Sequence, residues 1–292
     1  MDFVVKHNVW MDLYYAIEST TNGLRSYQEP DYIASLVTNL PNDLSSILRR
    51  HVPHMRFKVG GCFIHQKPIV RFTSPQYAKY KKPELGDLLI VYKETKNNTD
   101  RYNALLLQAK KTNDVYYTPI HHHDQHQYLL YTKWPKFEYH RAGTLNGRVR
   151  SISPKTISSG AQYLLIDEHH NAYPHSTFWC ACAAQPLNAS NTLATALLQL
   201  IEFQTGRTFV AKGGNIDQWS KMIWDLLTVS SESVFNRRPS GFHKCPRSSN
   251  KIFQFLSTLN NEEIVQIIDT GISTICIEGQ YIEEGEDGIE HQ

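Results

Sequence analysis

The run Pro83-Glu84-Leu85-Gly86-Asp87-Leu88-Leu89-Ile90-Val91-Tyr92 is followed, after a polar turn, by Asn103-Ala104-Leu105-Leu106-Leu107-Gln108-Ala109-Lys110-Lys111. Two apolar stretches of strand length flank the polar residues Lys93 to Arg101, which is the pattern of a β-hairpin. Asp87 opens the first strand. Gln108 and Lys110 lie two apart near the end of the second, so they share one face, while Ala109 between them points the other way. Ala104 to Leu107 is apolar on both faces, as expected for a central strand, and a polar pair ending such a strand needs a reason. An acid, an amide oxygen and a lysine converging on one sheet end can hold a divalent cation beside a phosphate. The plainer alternative is an edge hairpin in which Asp87 caps a turn and Lys110 and Lys111 are solvated.

The pattern resembles the PD-(D/E)xK nuclease superfamily, with glutamine in place of the middle acid, as in its Mrr-like branch. The resemblance implies that Asp87 is the principal ligand of Mg2+ or Mn2+ and that Gln108 is the second ligand, through its side-chain carbonyl. Lys110 would orient or activate the attacking water, and Glu84, beside the motif proline, would be a second carboxylate. A neutral amide leaves the site one negative charge short of the common form. The implied fold is α/β, a restriction-endonuclease-like mixed sheet flanked by helices. The implied activity is metal-dependent hydrolysis of DNA phosphodiesters, in an effector of bacterial anti-phage defence whose cutting a partner or sensor protein releases. The alternative is a nuclease-fold subunit that binds nucleic acid or a partner and no longer cuts, for which Gln108 and the modest net charge speak.

Downstream lies His121-His122-His123-Asp124-Gln125-His126-Gln127-Tyr128-Leu129-Leu130-Tyr131, whose later residues suit a short helix packed on the sheet. Gln127 and Tyr131 are one helical turn apart on one face. That spacing resembles the Gln-x-x-x-Tyr motif of RecB-like members, which implies DNA contact by Gln127 and Tyr131, with Lys111 beside them. His122 and His126 have a spacing that puts two imidazoles on one helix face, but no third ligand at zinc-like spacing is near. The histidines are read as a solvated turn or as partial positive charge lining a cleft.

The 292 residues, 41% hydrophobic and 11% aromatic, suffice for a sizeable core in one or two domains. A formal net charge of +2 excludes a generally basic coat for nucleic acid, so any DNA contact must come from local patches. Five scattered cysteines lack metal-finger spacing, and Cys180 and Cys182 are expected on one side of a buried strand as reduced thiols. Asp2, Lys6, His7 and Asn8 interrupt any apolar leader, and no stretch approaches a membrane span, so a cytoplasmic location is expected.

Helices are expected near Val9 to Leu24 and over Asp31 to Leu48, the second interrupted by Pro41. Strands are expected at His54 to Gln66, Pro68 to Phe72, Gln162 to Asp167 and Thr177 to Ala183. Glu18, in the first helix, is either an additional acid facing the site, as the resemblance implies, or a surface glutamate. Residues 1–185 are thus expected to form the nuclease core, and 186–292 a mostly helical extension. That extension would carry helices over Asn188 to Phe203, Ile216 to Val229 and Glu262 to Ile268, a loop from Ser230 to Asn250, and a disordered acidic tail from Glu283.

Overall fold

The computed structural model describes residues 1–22, 28–64, 68–80, 82–213, 215–232 and 272–282. Two helices open the chain, α1 (Phe3–Thr20) and α2 (Glu29–His51). Asp2 caps the first, its carboxylate accepting from Val5 N at 2.9 Å, and Val9, Leu13 and Ile17 form its buried stripe. Helix α2 starts at a capping box of Gln28 and Asp31, with Pro30 in the first turn. It then runs straight through Pro41, where the sequence predicts an interruption. Proline at that position leaves the Val37 carbonyl without its helical donor. Strand β1 (Met55–Cys62) accommodates this carbonyl at Gly61, where an added Cβ would stand 2.0 Å from Val37 O and 2.9 Å from the Pro41 ring. The proline and the glycine together let helix and strand approach closely.

Strands β2 (Ile69–Phe72), β3 (Leu88–Lys96) and β4 (Thr99–Thr112) follow. The β3–β4 hairpin is closed by Asn97 and Asn98, both left-handed at φ 49° and 56°, as a two-residue turn requires. Next come α3 (Gln125–Lys133), β5 (Phe137–Arg141), β6 (Val149–Arg150), β7 (Ala161–Asp167) and β8 (Phe178–Ala181). The described chain ends with β9 (Ala189–Thr192), α4 (Leu193–Ile201), β10 (Arg207–Phe209), α5 (Gln218–Glu232) and β11 (Ser273–Tyr281).

The protein is α/β. An eight-stranded mixed sheet has the order β1-β11-β3-β4-β7-β8-β9, with β10 paired to the early part of β4, and β2-β5-β6 form a second, three-stranded sheet. Leu88, Ile90, Leu105 and Leu107 pack with residues of α1, α2 and α4 on one face of the large sheet. Leu89, Val91, Ala104 and Leu106 pack on the other face with α3, α5 and the small sheet. Both runs are therefore buried on both sides, as their composition predicts. Asp225 of α5 pairs with Arg150 of β6 at 2.6 Å, tying helix and small sheet together. Among the described residues no helix is long and apolar enough to cross a membrane.

Three expectations are corrected. Position 185 is not a domain boundary, because β9, β10 and β11 belong to the main sheet and β11 lies between β1 and β3, antiparallel to one and parallel to the other. The helix predicted from Asn188 begins only at Leu193, since Ala189–Thr192 pair with β8 and the Thr192 hydroxyl caps α4. Cys182 is exposed beyond the end of β8, whereas Cys180 is buried. The helix expected at Glu262 to Ile268, the tail from Glu283, Cys245 and most of the Ser230 to Asn250 loop lie outside the described residues.

Without β11, two strands of the sheet core lose their partner on one side. A fragment of residues 1–185 is expected to give no cooperative thermal transition by circular dichroism, while the full chain melts in one. A fragment melting cooperatively would restore the boundary at 185.

Candidate active site

The site is set by strand register. Leu88 faces Leu107 across β3 and β4, and the bond from Asp87 N to Leu107 O, at 2.9 Å, holds Asp87 just outside the paired strand, where its side chain meets that of Gln108. The Asp87 carboxylate accepts hydrogen bonds from the Gln108 amide nitrogen and, at 2.8 Å, from Ala109 N. It lies deep among protein atoms yet keeps part of its surface open. Its pKa is held well above the usual carboxylate range, first by burial and then by the negative charge of Glu84, with the Ala109 bond pulling the other way. Glu84 and Asp87 therefore form a close pair of acids, as expected from the motif.

A third acid was not foreseen. Glu29, in the first turn of α2, accepts from Lys111 N at 2.8 Å, and its charge also raises Asp87. Glu18 does not share this neighbourhood. Its carboxylate accepts from the Thr177 backbone at 3.0 Å and from the hydroxyls of Ser176 and Thr177 at 2.7 Å, which fixes the start of β8. Glu29 announced itself only as an acid before a proline at a helix start, a pattern that also serves the helix dipole.

Lys110 and Gln108 leave the same face of β4, and Lys110 pairs with Asp124 at the start of α3. Asp124 also lies 3.5 Å from His123, and the rings of His121 and His123 stack at 5.5 Å on the exposed rim. Lys111 points to the opposite face, where its ammonium meets Glu168 at 2.7 Å, and Tyr32 donates to the same carboxylate at 2.7 Å. Burial alone would push Glu168 up, but the Lys111 and Tyr32 bonds outweigh it and hold its pKa below the usual value.

Tyr131, expected to contact DNA, is instead core. It is 1% exposed, its ring lies 5.7 Å from that of Trp134, and its hydroxyl donates to Leu85 O at 2.9 Å. It braces the segment carrying Glu84 and Asp87, and a Cβ at Gly86 would stand 2.7 Å from the Leu106 side chain and 3.0 Å from the Tyr131 hydroxyl, so a larger residue there would push on that brace. Gln127 sits one turn earlier, half-buried on α3.

Among the described residues no three His, Cys, Asp or Glu side chains are arranged to hold a metal ion. The donors at Asp87 are of another composition, namely two carboxylates, with the Gln108 amide presenting its nitrogen to Asp87 and holding its oxygen, buried without a hydrogen-bond partner, on the other side. Hard oxygen donors of this kind suit magnesium or manganese, and a cation would offset the crowded acids, with the amide turning half a rotation to offer its oxygen. The residues present therefore fit the group.

Because its folded pKa is raised, Asp87 opposes folding increasingly as pH climbs from about 4 through that raised value. Asp87→Asn, which keeps an oxygen for the Ala109 and Gln108 bonds, is expected to be the more stable protein above this window. The difference should close at lower pH, where both folded and unfolded wild type hold the proton. Urea denaturation across a pH series checks this, and a difference that widens toward acid would contradict it.

No protein-family model, no curated protein and no solved structure matches this chain.

Proposed function

We propose that the chain is a divalent-cation-dependent nuclease that hydrolyses DNA phosphodiesters, on a restriction-endonuclease-like arrangement of hairpin and following helix. One observation carries the reading: the Asp87 carboxylate and the Gln108 side chain meet beside a second carboxylate, Glu84, at one end of the β3–β4 hairpin. Asp87 and Glu84 would hold the cation, with Gln108 contributing its carbonyl oxygen. The bound cation supplies positive charge to the phosphoryl oxygens and acidifies a water. Lys110, exchanging Asp124 for the substrate, donates to that water or to a phosphate oxygen and stabilises the charge of the transition state. The water oxygen bonds to phosphorus as its proton passes to a base, while the ester P–O bond breaks and the departing oxygen takes up a proton. The resemblance supports a role as an effector of anti-phage defence under the control of a partner or sensor.

A second reading has its own support. With Lys110 on Asp124 and the Gln108 nitrogen on Asp87, both groups have partners without a cation, as in a subunit that binds and does not cut.

Incubation with plasmid DNA and magnesium or manganese separates the two. Under the nuclease reading the wild type degrades DNA, while Asp87→Ala and Lys110→Ala each lose about a hundredfold or more in rate, the scale of a lost transition-state charge stabiliser. Equal retention of labelled DNA by wild type and Asp87→Ala, without cutting by either, would favour the binding module.

A further inference from the structure

Several cations around the site are held by carboxylates: Lys110 by Asp124, Lys111 by Glu168 and Arg71 by Glu138. Lys82 is held differently. Among the described residues it makes no ion pair, and its ammonium donates to His140 Nε2 at 2.7 Å. An imidazole nitrogen accepts such a bond only in the neutral ring, with the proton on Nδ1. The lysine is thus ordered by a partner that leaves its charge in place.

The position of Lys82 is set by backbone pairing. Ile69 bridges Glu84 in the antiparallel sense, with Val70 N bonded to Pro83 O at 2.9 Å and Leu85 N to Pro68 O at 2.8 Å. The segment from Lys82 to Leu85 therefore lies along β2 as a short extended edge of the small sheet. Burial alternates along it: Lys82 is exposed, Pro83 buried, Glu84 half-buried and Leu85 buried. Lys82 and Glu84 leave one face, and the bond to His140 places Lys82 on the outward face of the small sheet, where Arg71 and Glu138 also pair. A cation with no counter-charge thus stands two residues from an acid of the Asp87 pair.

We propose that Lys82 binds a backbone phosphate of the DNA strand, one or two nucleotides from the bond at Asp87, and that His140 seats its ammonium until the strand arrives. The assignment rests on the reading of Glu84 and Asp87 as the place where DNA is cut. Two extended residues span about 7 Å, and successive phosphates of one strand advance about 3.4 Å along the duplex axis, so a lysine so placed meets the backbone close to that bond. Histidine suits the seat, because a phosphate can take the ammonium from a neutral ring without first breaking a charge pair. A contact of this kind fixes the register of the strand and carries no sequence preference.

The test is the kinetics of cutting of a short labelled DNA duplex with manganese over a series of salt concentrations, with the melting temperature of each variant as the check on folding. Lys82→Gln should raise KM about fivefold, the upper end for an exposed charge contact, and leave kcat unchanged, because the contact is made equally in ground and transition states. It should also lower the slope of log KM against log salt by about one, as expected for one lost phosphate contact. Lys82→Arg, which keeps the charge, should keep the wild-type slope. Lys96→Gln removes the same charge at the turn end of β3, where Lys96 lies over the Tyr281 ring, and should change neither quantity. Wild-type KM and slope in Lys82→Gln overturn the assignment, and so does an equal change in Lys96→Gln, which would mark a general effect of net charge. If the wild type cuts and Lys82→Gln is unchanged, the nuclease reading stands and only Lys82 is removed. A wild type that does not cut overturns that reading and this assignment with it.

Discussion

The antiparallel pairing of β3 with β4 is the constraint on which everything at the site depends. Side chains alternate across a strand, so slipping this pairing by one residue would send Asp87 and Gln108 to opposite faces and leave each without its partner. The pairing is protected from both sides. Leu88 and Ile90 lock into the layer of α1, α2 and α4, Leu89 and Val91 into the opposite layer, and neither set can exchange places without repacking both layers. A two-residue turn that tolerates only left-handed residues closes the far end. The chemistry at one end of the hairpin is thus specified by apolar packing along its length, in residues that never touch the site.

Around that pair the two lysines and the Asp87 carboxylate each have a partner within the protein. Lys110 is neutralised by Asp124, Lys111 by Glu168, and the Asp87 carboxylate is satisfied by two N–H donors. Among the described residues the buried polar atoms without a hydrogen-bond partner are the Gln108 oxygen, Trp134 Nε1 and the hydroxyls of Tyr139 and Tyr163.

Much of this could be read from residue order. The hairpin, β7 and α5 fall where apolar runs predict, and Gln108 and Lys110 leave one face of β4 as their alternation implies, Gln108 to Asp87 and Lys110 to Asp124. What eluded the sequence is mostly non-local. The segment Ser273–Tyr281 has only the short apolar run Ile275-Cys276-Ile277 to mark it, and its insertion between β1 and β3 pairs it with residues far away in the chain, which no local pattern encodes. Tyr131 shares a helical face with Gln127, yet which face of α3 meets the sheet depends on Leu85 and Trp134. Glu18 and Glu29 are both helix acids. Only the way α2 lies over the strand ends decides that Glu29 reaches the neighbourhood of Asp87. Pro41 breaks a helix in isolation and is tolerated here because Gly61 makes room for the carbonyl it strands.

The central position of β11 also shapes how the protein comes into being. As the chain is synthesised, β1 and β3 emerge early, while the strand that joins them is delayed until residue 281. For most of that time the nascent sheet has two unfinished edges, each a template for pairing with another chain. Closing it demands a pairing that spans nearly the whole sequence, which places the slow, entropically costly step last. The hairpin bearing Asp87 and Gln108 is local and can form well before that. Until β11 is made, the site residues can be in register while the β1 and β3 edges that it joins stay open to other chains.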